Sequence, residues 1–150
     1  MKIAIGSDEK TALTDFVVSE LKSSGIDTEL YGALADNSEQ WTDVAAAVAE
    51  RVSAGSCDQG ILFCWTGTGV SIAANKVTGV RAALCTDAET ASGARKWNDA
   101  NILALSLRLI TPTVAKEILD AWFSAEVDES EQENINKLDI LEQKYNKTKV

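Results

Sequence analysis

The sequence predicts a doubly wound α/β fold, in which a five-stranded parallel sheet lies between two layers of helices. Short β-rich apolar runs alternate with longer helical patterns five times along the chain, an order typical of parallel strands joined by crossover helices. The runs at 61–64 and 102–105 are apolar without interruption, as expected for strands covered on both faces. We therefore expect a three-layer α/β/α sandwich with a Rossmann-like sheet.

Strands and helices are predicted in strict alternation. The predicted strands are residues 2–6, 28–31, 60–64, 81–85 and 102–106. The predicted helices are residues 13–23, 41–52, 69–76, 88–97 and 112–124. Before the last helix, Thr111 offers a capping side chain ahead of Pro112 at the first helical position. Trp122 lies on the apolar stripe of the same helix, so it is predicted to belong to the core.

The length and composition predict one domain followed by a short arm. The chain has 150 residues, of which 45% are hydrophobic and 25% charged, a balance typical of a single domain over 1–150. We expect residues 1–125 to form the α/β core and residues 126–150 to form a C-terminal arm. Apolar residues mark one face of a polar helix in this arm: Ile135, Leu138, Leu141 and Tyr145. The arm either folds back on its own domain or lies on a neighbouring subunit.

The charge of the chain excludes one large class of partners. The 23 acidic residues outnumber the 14 basic ones, which gives a net charge of −9 and a field that repels nucleic acid. No apolar run approaches the roughly 18–20 residues needed to span a bilayer, and charge appears too early for a signal peptide. We therefore expect a cytoplasmic protein with neither nucleic acid nor membrane as a partner.

The histidine and cysteine content limits the possible chemistry. The chain has no histidine, which excludes histidine-dependent triads, histidine metal clusters and imidazole proton shuttles. The cysteines Cys57, Cys64 and Cys85 form no CxxC pair, so neither a disulfide framework nor a zinc site is predicted. We assign Cys57 and Cys85 to packing.

The most informative loop is CWTGTG at 64–69, between a predicted strand and a predicted helix. In this fold class, ligands bind outside the carboxyl ends of the strands. The glycines let the backbone approach a ligand, and the amides of the helix N-terminus point at negative charge. Cys64, beside that helix N-terminus, is a candidate base or nucleophile. The alternatives are a tight glycine turn without a ligand and a packed thiol.

Three further polar residues are candidates near the strand ends. Asp8 follows the first strand, where it could bind a hydroxylated ligand or cap the next helix. Asn98 could offer an amide to an oxyanion or end its helix as a C-cap. Arg108 is the cation expected at the crevice, with a surface salt bridge as the alternative.

Several segments resemble the type B ribose-5-phosphate isomerase and galactose-6-phosphate isomerase family. They are the opening KIAIGSD at 2–8, GILFCWTGTGVSIAANK at 60–76, GVRAALC at 79–85 and NDANILA at 98–104. The resemblance covers about residues 1–125 in register. It implies a five-stranded α/β/α sandwich that forms a dimer or tetramer, with an active site between subunits. It also implies interconversion of aldoses and ketoses without metal or organic cofactor, on a sugar or sugar phosphate.

The resemblance also implies roles for individual residues. Cys64 matches the base that moves a proton between adjacent sugar carbons through a cis-enediolate. The amides of Gly67, Thr68 and Gly69 would form the anion hole for that enediolate. Asp8 and Thr66 match positions that bind the sugar and assist ring opening. Asn98 matches an amide on the oxyanion side, and Arg108 matches a phosphate ligand.

The chain departs from the family pattern where substrate charge and ring opening are decided. Members acting on ribose 5-phosphate carry two histidines and two arginines at positions that here hold Glu9, Trp97, Glu133 and Lys137. A carboxylate beside a phosphate costs on the order of a kilocalorie per mole or more, so ribose 5-phosphate is not the expected substrate. Trp97 cannot carry a proton, so ring opening falls to another group or is unnecessary with an open-chain substrate.

We therefore expect an isomerase with an altered substrate. The options are a non-phosphorylated sugar, a deoxy or acid sugar held at its other end, or a short chain that cyclises poorly. Trp65 and Trp97 are expected near the crevice as stacking platforms for a sugar, and Trp41 either there or in the core. The alternative function is a catalytically silent sugar-binding subunit of a hetero-oligomeric isomerase, or a sugar sensor.

Overall fold

The computed structural model describes residues 1–145 and contains one parallel sheet in the order β2-β1-β3-β5-β4. The strands are β1 (Lys2–Ser7), β2 (Asp27–Gly32), β3 (Gln59–Cys64), β4 (Ala82–Leu84) and β5 (Ile102–Ser106). The helices are α1 (Ala12–Ser23), α2 (Trp41–Ser53), α3 (Thr68–Ala74), α4 (Ala88–Asn98), α5 (Pro112–Ser124) and α6 (Gln132–Tyr145). The predicted fold class is confirmed.

Two hydrophobic layers cover the two faces of the sheet. Because successive side chains of a strand point to opposite faces, Ile3 and Ile5 pack with residues of α1, α4 and α5, whereas Ala4 packs with residues of α2 and α3. Trp122 on α5 is 1% exposed, and its indole N–H donates to Gln59 Oε1 at 2.7 Å. The prediction that Trp122 belongs to the core is confirmed.

Side-chain caps fix where two of the helices begin. The hydroxyl of Thr111 accepts the backbone N–H of Val114, and Pro112 is the first residue of α5, as predicted. The hydroxyl of Thr11 accepts the N–H of Thr14 at the start of α1. Thr11 therefore fills the capping position that the sequence had left open to Asp8.

The arm folds back on its own chain. Ile135 is 5% exposed, and the carboxylate of Glu142 accepts the N–H of Gly79 at 2.9 Å. The rest of the predicted apolar face is largely open, since Leu141 is 51% and Tyr145 72% exposed. The apolar face of the arm helix therefore contacts its own chain through its first turn, and residues 1–145 leave the later part of that face uncovered. The last part of the predicted arm, 146–150, lies outside the described residues, and the division at residue 125 remains a proposal.

None of the helices described for residues 1–145 combines the length and apolar character required to cross a bilayer.

Candidate active site

The candidate site lies where the strand order reverses. The chain passes from β1 outward to β2 and then returns to β3 on the other side of β1, so the carboxyl ends of β1 and β3 are where a ligand crevice is expected in this fold class. Ser7 is paired with Phe63, so the next residues of the two strands, Asp8 and Cys64, are neighbours. The structure thus brings these two candidates to the same edge of the sheet.

Asp8 and Cys64 also share one face of the sheet. Cys64 packs in the layer formed with α2 and α3. A Cβ atom at Gly6 would meet Val44 and Val48 of α2, and Asp8, two residues further on, continues on that face. The predicted site residues of β1 and β3 therefore meet beneath the first turns of these two helices.

One carboxylate oxygen of Asp8 has no hydrogen-bond partner. Its Oδ1 atom is buried and unpaired among residues 1–145, although a buried acceptor left unsatisfied costs about 1–3 kcal/mol. The preceding Ser7 donates its hydroxyl to the carbonyl of Glu9, which fixes the local turn. Asp8 Oδ1 is thus available to a hydroxyl donor, while the side chain of Glu9 is exposed.

Hydrogen bonds from the end of β5 hold the loop that carries Cys64. The Leu107 N–H donates to the Cys64 carbonyl at 3.0 Å, and the Arg108 N–H donates to the Trp65 carbonyl at 3.1 Å. The buried hydroxyl of Ser106 also donates to the Trp65 carbonyl, at 3.0 Å. Cys64 itself is 6% exposed. No pattern in the sequence indicates the Ser106 contact, because it joins β5 to a loop residue 41 positions earlier in the chain.

Gly67 forms the turn between this loop and α3. Its φ is +76°, and a Cβ atom there would lie 2.6 Å from Leu84 Cδ1 and 2.9 Å from the Leu105 carbonyl carbon. The Thr66 and Thr68 hydroxyls are 2.7 Å apart. The first amides of any helix lack intrahelical acceptors, so those of α3 point outward at the crevice end. The glycines therefore permit the anion-hole geometry that the sequence predicts.

Three other candidates border the same edge. Arg108 is exposed and takes part in none of the ion pairs found among residues 1–145, so the salt-bridge alternative is not observed in this part of the chain. Trp65 is 59% exposed in the loop itself. Trp41, 40% exposed, places its ring against Gly69, so of its two predicted locations the crevice is the observed one.

Trp97 and Asn98 lie near the amino ends of the strands, at the opposite end of the sheet from Cys64. Helix α4 runs from Asp87, after the carboxyl end of β4, back to Asn98. Three residues later, the Asn101 N–H donates to the Arg81 carbonyl just before β4 begins. Within one chain Trp97 therefore lies away from Cys64, because crossover helices run antiparallel to the strands, and its expected place near a crevice between subunits stays a prediction. Asn98 is not the C-cap either, since Asp99, with φ of 46°, takes that position.

The arm places Glu133 at this far edge as well. Asp128, just before the arm helix, donates its N–H to the Lys96 carbonyl at 2.8 Å. Glu133 is exposed and pairs with Lys137 at 2.8 Å. Glu133 and Glu9 thus lie apart within a single chain, and their expected place at one site between subunits stays a prediction. Trp97, 53% exposed, instead borders a groove of about 560 Å³ along α4, with its ring over Gly93.

The other two cysteines are packed, as predicted. Cys57 is 2% and Cys85 0% exposed. Burial raises the pKa of the Cys85 thiol to about 12 and also raises the pKa of Cys57. Neither is suited to act as a base, because the thiolate is the reactive form. Within residues 1–145, no cluster of three or more histidine, cysteine or acidic side chains could hold a metal ion.

Comparison with known proteins identifies the family. The family model described as Ribose/Galactose Isomerase matches residues 3–139. Ribose-5-phosphate isomerase B of Escherichia coli is 35% identical over 147 residues, which cover 97% of this chain and 99% of that protein. D-erythrulose-4-phosphate isomerase of Pectobacterium atrosepticum is 40% identical over 133 residues, covering 85% of this chain and 86% of that protein.

The fold agrees with solved structures of similar proteins. Ribose-5-phosphate isomerase B of Clostridium thermocellum superposes with a TM-score of 0.90 at 41% identity, covering 97% of this chain and 99% of that chain. The resemblance stated from the glycine loop and the strand ends is thereby confirmed. The chain is an aldose–ketose isomerase that belongs to the Ribose/Galactose Isomerase family.

Proposed function

We propose that Cys64 is the base of an aldose–ketose isomerisation at this site. The observation that carries the proposal is the convergence of Asp8, Cys64 and the first turn of α3 at one edge of the sheet. A thiolate at Cys64 takes a proton from the carbon next to the carbonyl and returns it to the former carbonyl carbon. The hydroxyl group on the carbon that was deprotonated gives its own proton to the former carbonyl oxygen, so that its oxygen becomes the new carbonyl and the old carbonyl becomes a hydroxyl.

The main-chain amides of Gly67, Thr68 and Gly69 stabilise the intermediate. Negative charge develops on the carbonyl oxygen as the enediolate forms, and preorganised N–H donors bind such an oxygen more strongly than they bind the neutral carbonyl. Asp8 and Thr66 hold the hydroxyl groups of the sugar. The support for Asp8 is its buried, unpaired Oδ1 atom. A sugar hydroxyl that donates to this oxygen would satisfy it.

The substrate that fits best is a four-carbon sugar phosphate. A tetrulose phosphorylated on its fourth carbon has no free hydroxyl that could close a five-membered ring, so it reaches the site as an open chain. This suits a chain that has no histidine to assist ring opening. Two relatives that match this chain are named as isomerases of D-erythrulose 4-phosphate. Arg108 binds the phosphate, because guanidinium groups pair well with phosphate oxygens.

The complete site is formed by two copies of the chain. Trp97 and Asn98 cannot reach Cys64 of their own chain because they lie at the other edge of the sheet. A homodimer, or a homotetramer built from such dimers, brings Asn98 of a second copy to the enediolate. Symmetric association of this kind makes both sites equivalent.

The test compares two cysteine variants over a panel of sugars. We expect Cys64→Ser to lower kcat by at least about 100-fold, the usual contribution of a general base. The matched control Cys57→Ser removes a packed thiol far from the strand end and should keep near wild-type activity. The panel contains free and phosphorylated tetroses, pentoses and hexoses, with D-erythrulose 4-phosphate expected to react best.

Two results would contradict the proposal. Full activity of Cys64→Ser would show that the thiol is not the base. Binding of a sugar without turnover of any member of the panel would instead support the catalytically silent binding subunit.

A further inference from the structure

The first turn of α2 stands above the carboxyl edge of the sheet. Val44 marks the level of that edge, because Cβ atoms built at Gly6 and Gly32 would each lie 2.6 Å from its methyl groups. Gly32 is the last residue of β2. Trp41, the first residue of α2, lies three residues before Val44, about 4.5 Å further along the helix axis. The side chain of Trp41 therefore starts beyond the strand ends, on the face that carries Asp8 and Cys64.

The indole ring of Trp41 lies against the start of α3. A Cβ atom at Gly69 would lie 3.0 Å from Cε3 and 3.1 Å from Cζ3 of the ring. The ring is thus in van der Waals contact with the backbone of one of the proposed anion-hole residues. A side chain at position 69 would push the ring away, so the glycine serves this contact as well as the approach of a ligand.

The remaining surface of the ring is open to solvent. Trp41 is 40% exposed, although a large aromatic side chain left in water forgoes most of its favourable burial. Small-molecule sites are lined by aromatic side chains with a few well-placed polar groups. Trp41 is the aromatic wall, and the Asp8 oxygen and the amides of α3 are the polar groups.

We propose that Trp41 binds the substrate, with the carbon chain of the sugar phosphate packed against its free face. The ring also excludes water from the neighbouring amide, and a hydrogen bond to the enediolate oxygen is stronger in a less polar environment. This inference rests on the proposed function, because it assumes that the amide of Gly69 is at the site. It adds a specificity-determining residue that the cysteine and glycine loop does not contain.

The experiment compares Trp41→Leu with Trp41→Phe. Leucine keeps apolar cover over Gly69 without an aromatic face, whereas phenylalanine keeps an aromatic face of smaller area. We expect Trp41→Leu to raise the KM for D-erythrulose 4-phosphate about tenfold, equivalent to ~1.4 kcal/mol, with a smaller change in kcat. Trp41→Phe should raise KM by less than about threefold, since an aromatic contact contributes about 0.5–1.5 kcal/mol beyond its area.

A binding measurement separates this inference from the proposed function. The dissociation constant of D-erythrulose 4-phosphate is measured by calorimetry in a Cys64→Ser background, with and without Trp41→Leu, and unfolding temperatures confirm that both proteins fold. Trp41→Met is the second non-aromatic variant if the leucine variant does not fold. Equal binding with and without the indole overturns the role of Trp41 alone. Binding that depends on Trp41 in a protein that turns over no sugar overturns the proposed function and supports the role of Trp41. Absence of binding to the Cys64→Ser protein that retains Trp41 overturns both this role and the four-carbon substrate.

Discussion

Gly67 holds the turn between β3 and α3 in a conformation that other residues adopt only at a cost. Its φ is +76°, and a Cβ atom would lie 2.6 Å from Leu84 and 2.9 Å from the backbone of Leu105. Gly55 is a matched control, because its φ is +69° and a Cβ atom there meets nothing within 4 Å. The pair separates the cost of the left-handed conformation from the cost of the collision.

We expect Gly67→Ala to cost more stability than Gly55→Ala. The left-handed conformation alone costs about 1–2 kcal/mol, and forcing a methyl group into a filled space adds about 1–3 kcal/mol. The free energy of unfolding, measured in urea, should therefore fall by ~1 kcal/mol for Gly55→Ala and by ~3 kcal/mol for Gly67→Ala. Activity should fall in the second variant alone. Equal losses of stability would mean that the structure accommodates the added methyl group at position 67 without a cost from the collision.

The residues of the strand-end loops were predictable because they are local in sequence. Asp8 and Cys64 each follow an apolar run directly, and the glycines that shape the anion hole adjoin Cys64. The parallel fold then places such residues at one edge. Ser106 and Trp41 reach the same site through contacts with Trp65 and Gly69. These contacts join separate elements, so no spacing along the chain shows them.

At the scale of the elements, the alternating pattern predicted the longer strands closely, but it predicted the shortest strand and the 3-10 helices poorly. Strand β4 is Ala82–Leu84, shorter than the predicted 81–85, and it pairs with β5 alone. Two short 3-10 helices, Ala33–Ala35 and Glu129–Glu131, were not predicted. Three residues do not establish a period.

Ion pairs that the hydrophobic pattern does not indicate join the edge strand β2 to its neighbours. Glu29 on β2 pairs with Lys2 of β1 at 2.8 Å and with Arg51 of α2 at 2.8 Å. Tyr31 donates its hydroxyl to the same carboxylate. Hydrogen bonds from Lys2, Tyr31 and Arg51 lower the pKa of Glu29 to about 2, from an ordinary value of 4.5. One carboxylate thus joins two strands and a helix.

This arrangement predicts a loss of stability in acid. Because the pKa of Glu29 is depressed in the folded protein, its contribution is fully present above pH 4.5 and is lost as the pH falls toward 2. We expect Glu29→Gln to lower the free energy of unfolding more at pH 6 than at pH 3, measured by urea unfolding at both values. The exposed Glu50 on α2 supplies the control variant Glu50→Gln. An equal loss at both pH values for Glu29→Gln would show that its ion pairs do not stabilise the fold.

At the scale of the whole molecule, the fold divides the predicted site residues between two edges of one sheet. The strand order could not be read from the sequence, because the alternation of strands and helices is the same for several orders. Trp97 and Asn98 lie away from Cys64 for a different reason, because α4 runs back along the strands from the carboxyl end of β4. The separation is about one strand, ~17 Å for five residues. On the proposed two-copy site, a single chain presents two half-sites.

The two half-sites predict that inactive variants restore each other. In a symmetric dimer, Cys64→Ser and Asn98→Ala subunits each give a protein of very low activity on their own. Coexpression in equal amounts makes half of the dimers mixed, and each mixed dimer contains one site with both native residues. Activity should therefore return to about a quarter of the wild-type value, measured as turnover per subunit. If Cys64 and Asn98 of one chain served the same site, or if Asn98 took no part, coexpression would restore no such fraction. In the second case the Asn98→Ala protein alone would remain active, which tells the two failures apart.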